Sequence, residues 1–109
     1  MIEEQEDLEP IEVILGFGAY IKQVVRSNGD SIKAFVAKIN TSEYGQRYFI
    51  KENRIYKILE DRRIPNTIEY TILIEVSGAD PNKAYRYLRR YMEYAISMGI
   101  IGKTEKEDE

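Results

Sequence analysis

Between Arg47 and Arg63 the chain alternates cations with aromatic rings. Arg47, Lys51, Arg54, Lys57, Arg62 and Arg63 stand among Tyr48, Phe49 and Tyr56, with Tyr44 just upstream. Phosphates attract cations and unstacked bases pack on exposed rings. Arg47, Tyr48, Lys51, Arg54, Tyr56, Lys57, Arg62 and Arg63 therefore form a candidate site for single-stranded DNA or RNA. The same pattern also fits a plainer role, with lysine and arginine lining the solvent face of strands and blunting their edges.

Bond-making chemistry is poorly provided for. The chain has no cysteine and no histidine, which removes thiolate nucleophiles, disulfides, the commonest metal ligand and the usual base near neutral pH. Gly16-Phe17-Gly18 follows an apolar run and begins like a dinucleotide fingerprint, but Ile21 stands where the third glycine belongs. A bulge or bend is the expected role of these glycines. Glu60-Asp61 beside Arg62-Arg63 reads as a solvated loop. Asn40-Thr41-Ser42 matches a glycosylation pattern without a secretory context. The chain is thus read as a non-enzyme with no cofactor and no metal site.

A second candidate surface lies near the C-terminus. Asp80 offers an N-cap, Pro81 suits the first helical position, and Gly99 suits the residue just past the end, so the spacing predicts a helix over 81–98. Its apolar arc, centred on Ala84, Leu88, Met92 and Ala95, spans about 200°, wider than a surface helix needs. One flank carries Tyr87, Tyr91, Tyr94 and Met98. Tyrosine and methionine are enriched at interfaces and arginine commonly rims them. This flank is the candidate protein interface, for a second copy or a larger complex, and it supplies the preferred function: a small interaction protein or complex subunit, dimeric. Nucleic-acid binding by residues 47–63 is the alternative.

The elements that would position both surfaces are read as follows. Ile68, Tyr70, Ile72, Ile74 and Val76 alternate with more polar neighbours, which predicts a strand over 67–76. Ile11, Val13 and Leu15 predict another. Tyr20–Ser27 and Asp30–Ala37 fold into a hairpin on Asn28-Gly29, although Phe17, Tyr20, Ile21, Val24 and Val25 also fit a helical face ending at the same pair. Residues 47–51 and 54–59 read as two short strands. The expected fold is α+β, an antiparallel β-meander of about five strands on one C-terminal helix, with a β-α-β-β-α two-layer sandwich if residues 17–27 are helical.

Ile72-Leu73-Ile74-Glu75-Val76 running into Ala84-Tyr85-Arg86-Tyr87-Leu88 resembles the last strand and helix of the small dimerising subunit of the tRNA-modifying KEOPS complex. The resemblance covers less than a third of the chain, carries no diagnostic motif, and implies at most a dimeric α+β subunit.

The 109 residues suffice for one domain. Residues 1–10 read as a disordered acidic arm, 11–102 as the domain and 103–109 as a disordered charged tail. The net charge of −3 conceals segregation: residues 1–12 hold six acids and no base, and residues 20–63 hold ten bases against five acids. No apolar run is long enough to span a membrane, and a cytoplasmic location is the default. The abundance of Ile, Glu, Lys and Arg without Cys or His looks like a heat-adapted composition.

Overall fold

Asn66 and Glu69 start the helix at the centre of the molecule. The Asn66 side chain accepts from the Glu69 N–H at 2.8 Å, and the Glu69 carboxylate accepts from the Asn66 N–H at 2.8 Å. This reciprocal capping box satisfies two donors that would otherwise lack partners. The helix then runs over Thr67–Ser77, through the segment whose alternation predicts a strand.

The computed structural model describes residues 16–99, and among them there are six helices and no strand. They are α1 Phe17–Ser27, α2 Ile32–Thr41, α3 Glu43–Arg47, α4 Glu52–Leu59, α5 Thr67–Ser77 and α6 Pro81–Ser97. The expected β-meander is overturned, and with it the two-layer sandwich and the strand half of the KEOPS-subunit resemblance. The strand expected over 11–15 lies outside the described residues.

Each correction has a local cause. Asn28-Gly29 does not turn a hairpin. Asn28 ends α1 and Gly29 takes φ +90°, the left-handed conformation that commonly follows a helix. Ser31 then caps α2 by accepting from the Ala34 N–H at 3.0 Å. Ser42 closes α2 and opens α3 with one hydroxyl, which donates to the Ile39 carbonyl at 2.7 Å and accepts from the Gly45 N–H at 2.9 Å. Two helices stand where sequence signals put them. α1 is the helical alternative for residues 17–27, stopped at Asn28-Gly29. At α6, Asp80 accepts from the Asn82 N–H at 2.9 Å, Pro81 opens the helix, and Gly99 has φ +72°.

α1 touches α2, α4, α5 and α6, while α2 also touches α3 and α5. The core between them is Phe17, Ile21, Val25, Phe35, Ile39, Ile55, Ile58, Leu59, Ile72 and Leu73, all 2% exposed or less. Removing one such side chain from water is worth about 1.5–3 kcal/mol. Two stacked ring pairs, Phe17 with Tyr70 and Tyr20 with Tyr87, extend the core with centroids 5.4 and 5.0 Å apart. Tyr20 lies at Tyr87, and the Asn28 amide donates to the Ser77 carbonyl just ahead of α6, so α1 and α6 run antiparallel.

Asp61 ties three elements together. Its carboxylate accepts from the N–H groups of Gly18 at 2.7 Å and Ala19 at 3.1 Å, capping α1 from more than forty residues away. Its carbonyl accepts from the Tyr91 hydroxyl on α6. Its backbone sits at φ +58°, a conformation that aspartate tolerates better than most residues. The Gly16-Phe17-Gly18 motif is therefore not a bulge. It admits a carboxylate to the start of a helix, and Asp61 is not a solvated loop residue.

Burial pushes the Asp61 carboxyl above its usual range, against the two backbone N–H groups and Lys22, which pull it down. Between the ordinary carboxylate pKa and this raised one, the folded chain holds more protons at Asp61 than the unfolded chain. The Asp61 contribution to stability consequently falls as pH rises through that window and is flat above it. Asp61→Asn lacks the titration, so its stability relative to wild type should be best near neutral pH and worsen on acidification. Urea unfolding of both proteins between pH 4 and 7 checks this, and a pH-independent difference would refute it.

Candidate interaction surface

Four residues, Tyr48 to Lys51, join α3 to α4, and they are partly extended, so alternate side chains face opposite ways. Ile50 points inward and is 8% exposed, anchoring the turn. Phe49 points outward and is 77% exposed, the most exposed large apolar side chain among the described residues. Tyr44 and Tyr48 stand beside it, each exposed by about two fifths.

Facing this turn is the narrow exposed strip of α5. Most of α5 is buried, with Ile72, Leu73, Ile74, Glu69 and Ser77 turned inward. Thr67, Ile68 and Thr71 remain outside. Two shallow grooves meet here. One is lined by Tyr44, Tyr48, Thr67, Ile68, Thr71 and Ile72. The other is lined by Tyr48, Phe49, Ile50, Lys51, Arg54, Asn66, Ile68 and Glu69. They share Tyr48 and Ile68, so Tyr44, Tyr48, Phe49 and Ile68 form one continuous apolar surface.

An ion pair makes the floor of the second groove. Glu69 is 3% exposed. Its carboxylate takes the Arg54 Nε–H, a second guanidinium contact at 3.4 Å, and the Asn66 N–H. A buried charge without such partners would be strongly unfavourable. Arg54 therefore has a structural assignment within this surface.

Of the residues expected to bind nucleic acid, Tyr48, Lys51 and Arg54 line the second groove together, and the others lie elsewhere. Residues 47–63 form α3, the turn, α4 and a loop rather than a sheet, so the basic sheet face is corrected to a set of scattered cations. Arg54 and Tyr56, two residues apart on α4, diverge by about 160° around the helix. Arg47 is exposed and lies 3.5 Å from Glu43, while Arg62 lies 2.7 Å from Glu60. Tyr56 packs against the core. Lys57 and Arg63 are half-buried, whereas Tyr48 and Lys51 are exposed in the turn.

The flank expected to bind protein divides into two parts. Tyr87 stacks on Tyr20, and the Tyr91 hydroxyl is bonded to Asp61. Burial and the neighbouring Asp61 and Tyr94 raise the Tyr91 phenol above its usual pKa. Tyr94 and Met98 are the exposed members, at 54% and 60%. A Tyr91→Glu change would consequently disturb the core before any assembly.

Sequence reasoning placed Ile68 on a buried strand face and left Phe49 out of the site. The signals for both were present. Asn66-x-x-Glu69 marks a helix start, which turns Ile68 outward, and Phe49 beside Ile50 in a connecting turn cannot share its burial. No cluster of three or more acidic, cysteine or histidine side chains exists among the described residues to hold a metal. No described helix is long and apolar enough to cross a membrane. No protein-family model, curated protein or solved structure matches this chain.

Proposed function

We propose that this chain is a small interaction protein that self-associates through the surface formed by Tyr44, Tyr48, Phe49 and Ile68. The observation that carries this reading is the 77% exposure of Phe49, next in the chain to Tyr48, which with Tyr44, Ile68 and Ile72 lines an apolar groove. A two-fold interface uses the same patch on both copies, so it needs a knob and a groove side by side. Phe49 is the knob, and its neighbours make the groove. Large exposed rings clustered in this way are characteristic of interface centres, with the threonines and Lys51 supplying a polar rim.

Light scattering on the purified full chain tests the reading. The wild type should migrate as a dimer, and Phe49→Glu should be monomeric. Because Phe49 contributes little to the core, its thermal unfolding midpoint measured under dissociating conditions should stay within about 0.5 kcal/mol equivalent of wild type. A wild-type chain that stays monomeric at high concentration would remove the self-association reading. So would a Phe49→Glu chain that remains dimeric.

A further inference from the structure

One flank of α6 carries a regular pattern that the proposed self-association does not use. Lys83, Tyr87, Arg90 and Tyr94 are spaced by four, three and four residues, so they lie in one row along the helix. Arg86 lies beside this row, and Lys83, Arg86, Tyr87 and Arg90 together line one groove. Tyr87 is half-buried against Tyr20, so Tyr94 is the ring that the row presents outward. Lys83 and Arg86 are exposed, and Tyr94 is 54% exposed.

The charges around the ridge favour an anion. α6 holds four bases and one acid, Glu93, whose carboxylate lies 3.3 Å from Arg89. Asp80, at the start of the helix, is used as its cap. Residues 16–99 contain fourteen bases and nine acids. The ring exposed along the row is Tyr94, and an exposed ring in line with cations suits a strand of phosphates with exposed bases.

We infer that this ridge of α6 binds single-stranded nucleic acid, with Lys83 and Arg86 contacting phosphates and Tyr94 stacking on a base. The surface is separate from the Phe49 patch, so the two can be tested independently.

The test is fluorescence anisotropy of labelled oligothymidylate titrated with the full chain at rising salt. The double variant Lys83→Glu/Arg86→Glu should bind at least about tenfold more weakly, and its salt slope should be smaller by about 1.4, the value for two single-strand phosphate contacts. Tyr94→Ala should lose about fivefold or more, the lower limit for one stacked base. Phe49→Glu should bind like wild type, whatever its oligomeric state. Circular dichroism confirms that each variant is folded. Failure of the wild type to bind at low salt would overturn the inference. Undiminished binding by the Lys83→Glu/Arg86→Glu protein would do the same. Tighter binding to duplex DNA or to phosphatidylserine vesicles than to the single strand would replace it with another partner.

Discussion

Arg54→Met is expected to destabilise the protein by about 3 kcal/mol, the lower end of the cost of breaking a buried ion pair. The lower end applies because the pair is asymmetric. The Arg54 side chain is 34% exposed, while that of Glu69 is 4% exposed. Without Arg54, water can reach the guanidinium's place but hydrates the carboxylate poorly. Among the described residues, Glu69 would retain the Asn66 N–H as its partner. The double change Arg54→Met/Glu69→Gln should recover most of the loss, since glutamine keeps an oxygen for the Asn66 N–H and carries no charge. Urea unfolding of the wild type, both single variants and the double variant gives the coupling directly. A single Arg54→Met chain as stable as wild type would show that the pair contributes nothing.

This result also determines how Arg54 can be used as a probe. Arg54→Glu would set a second carboxylate against the buried Glu69, so a loss of oligonucleotide binding in that variant would report unfolding. The cation that looks most central to the 47–63 pattern in the sequence is the one most committed to the fold. Lys83 and Arg86 are better probes because neither supports the core.

The helical character of the chain was legible at its ends of helices and illegible at its apolar runs. Asp80-Pro81 and Gly99 bound α6 correctly because caps are local chemistry. Thr67–Ser77 misleads because α5 is buried over most of its circumference. Its exposed strip is narrow and mixes Ile68 with Thr67, Thr71 and Glu75, so the period near 3.6 is weak and an accidental period of two is the stronger pattern. The β-branched residues of this run reinforced the error, since packing overrides their modest helix disadvantage. Asn28-Gly29 misleads for a different reason: a glycine in the left-handed conformation serves both a hairpin turn and a helix end. The inner half of the tyrosine flank of α6 is explained by Tyr20 and Asp61, and neither contact can be read from spacing. Asp61 itself gave no local signal, because its partners Gly18 and Ala19 are distant in sequence and the Asp-Arg-Arg run suggests solvent.

Gly18→Ala separates the two explanations of the Gly16-Phe17-Gly18 motif by the sign of its effect. Gly18 lies inside α1 and its φ is not positive. If it were present only for backbone freedom, alanine would stabilise the helix by about 0.5–1 kcal/mol. The packing predicts the reverse. A Cβ on Gly18 would lie 2.2 Å from the Ile58 carbonyl oxygen and 2.5 Å from that of Leu59. Both neighbours are backbone, so no side chain can swing away, and α1 must separate from α4. That separation opens the core at Phe17, Ile21, Ile58 and Leu59 and draws the Gly18 and Ala19 N–H groups off Asp61. The expected cost is about 3 kcal/mol, at the top of the range for overpacking. At about 4–8 °C per kcal/mol for a domain of this size, the melting temperature should drop by roughly 12–24 °C. Gly29→Ala is the matched comparison, because a Cβ there meets nothing within 4 Å and only the φ of +90° is unfavourable. It should cost about 1–2 kcal/mol. Thermal melts of the two variants should therefore rank Gly18→Ala well below Gly29→Ala, and the opposite order would mean that α1 and α4 do not cross at Gly18.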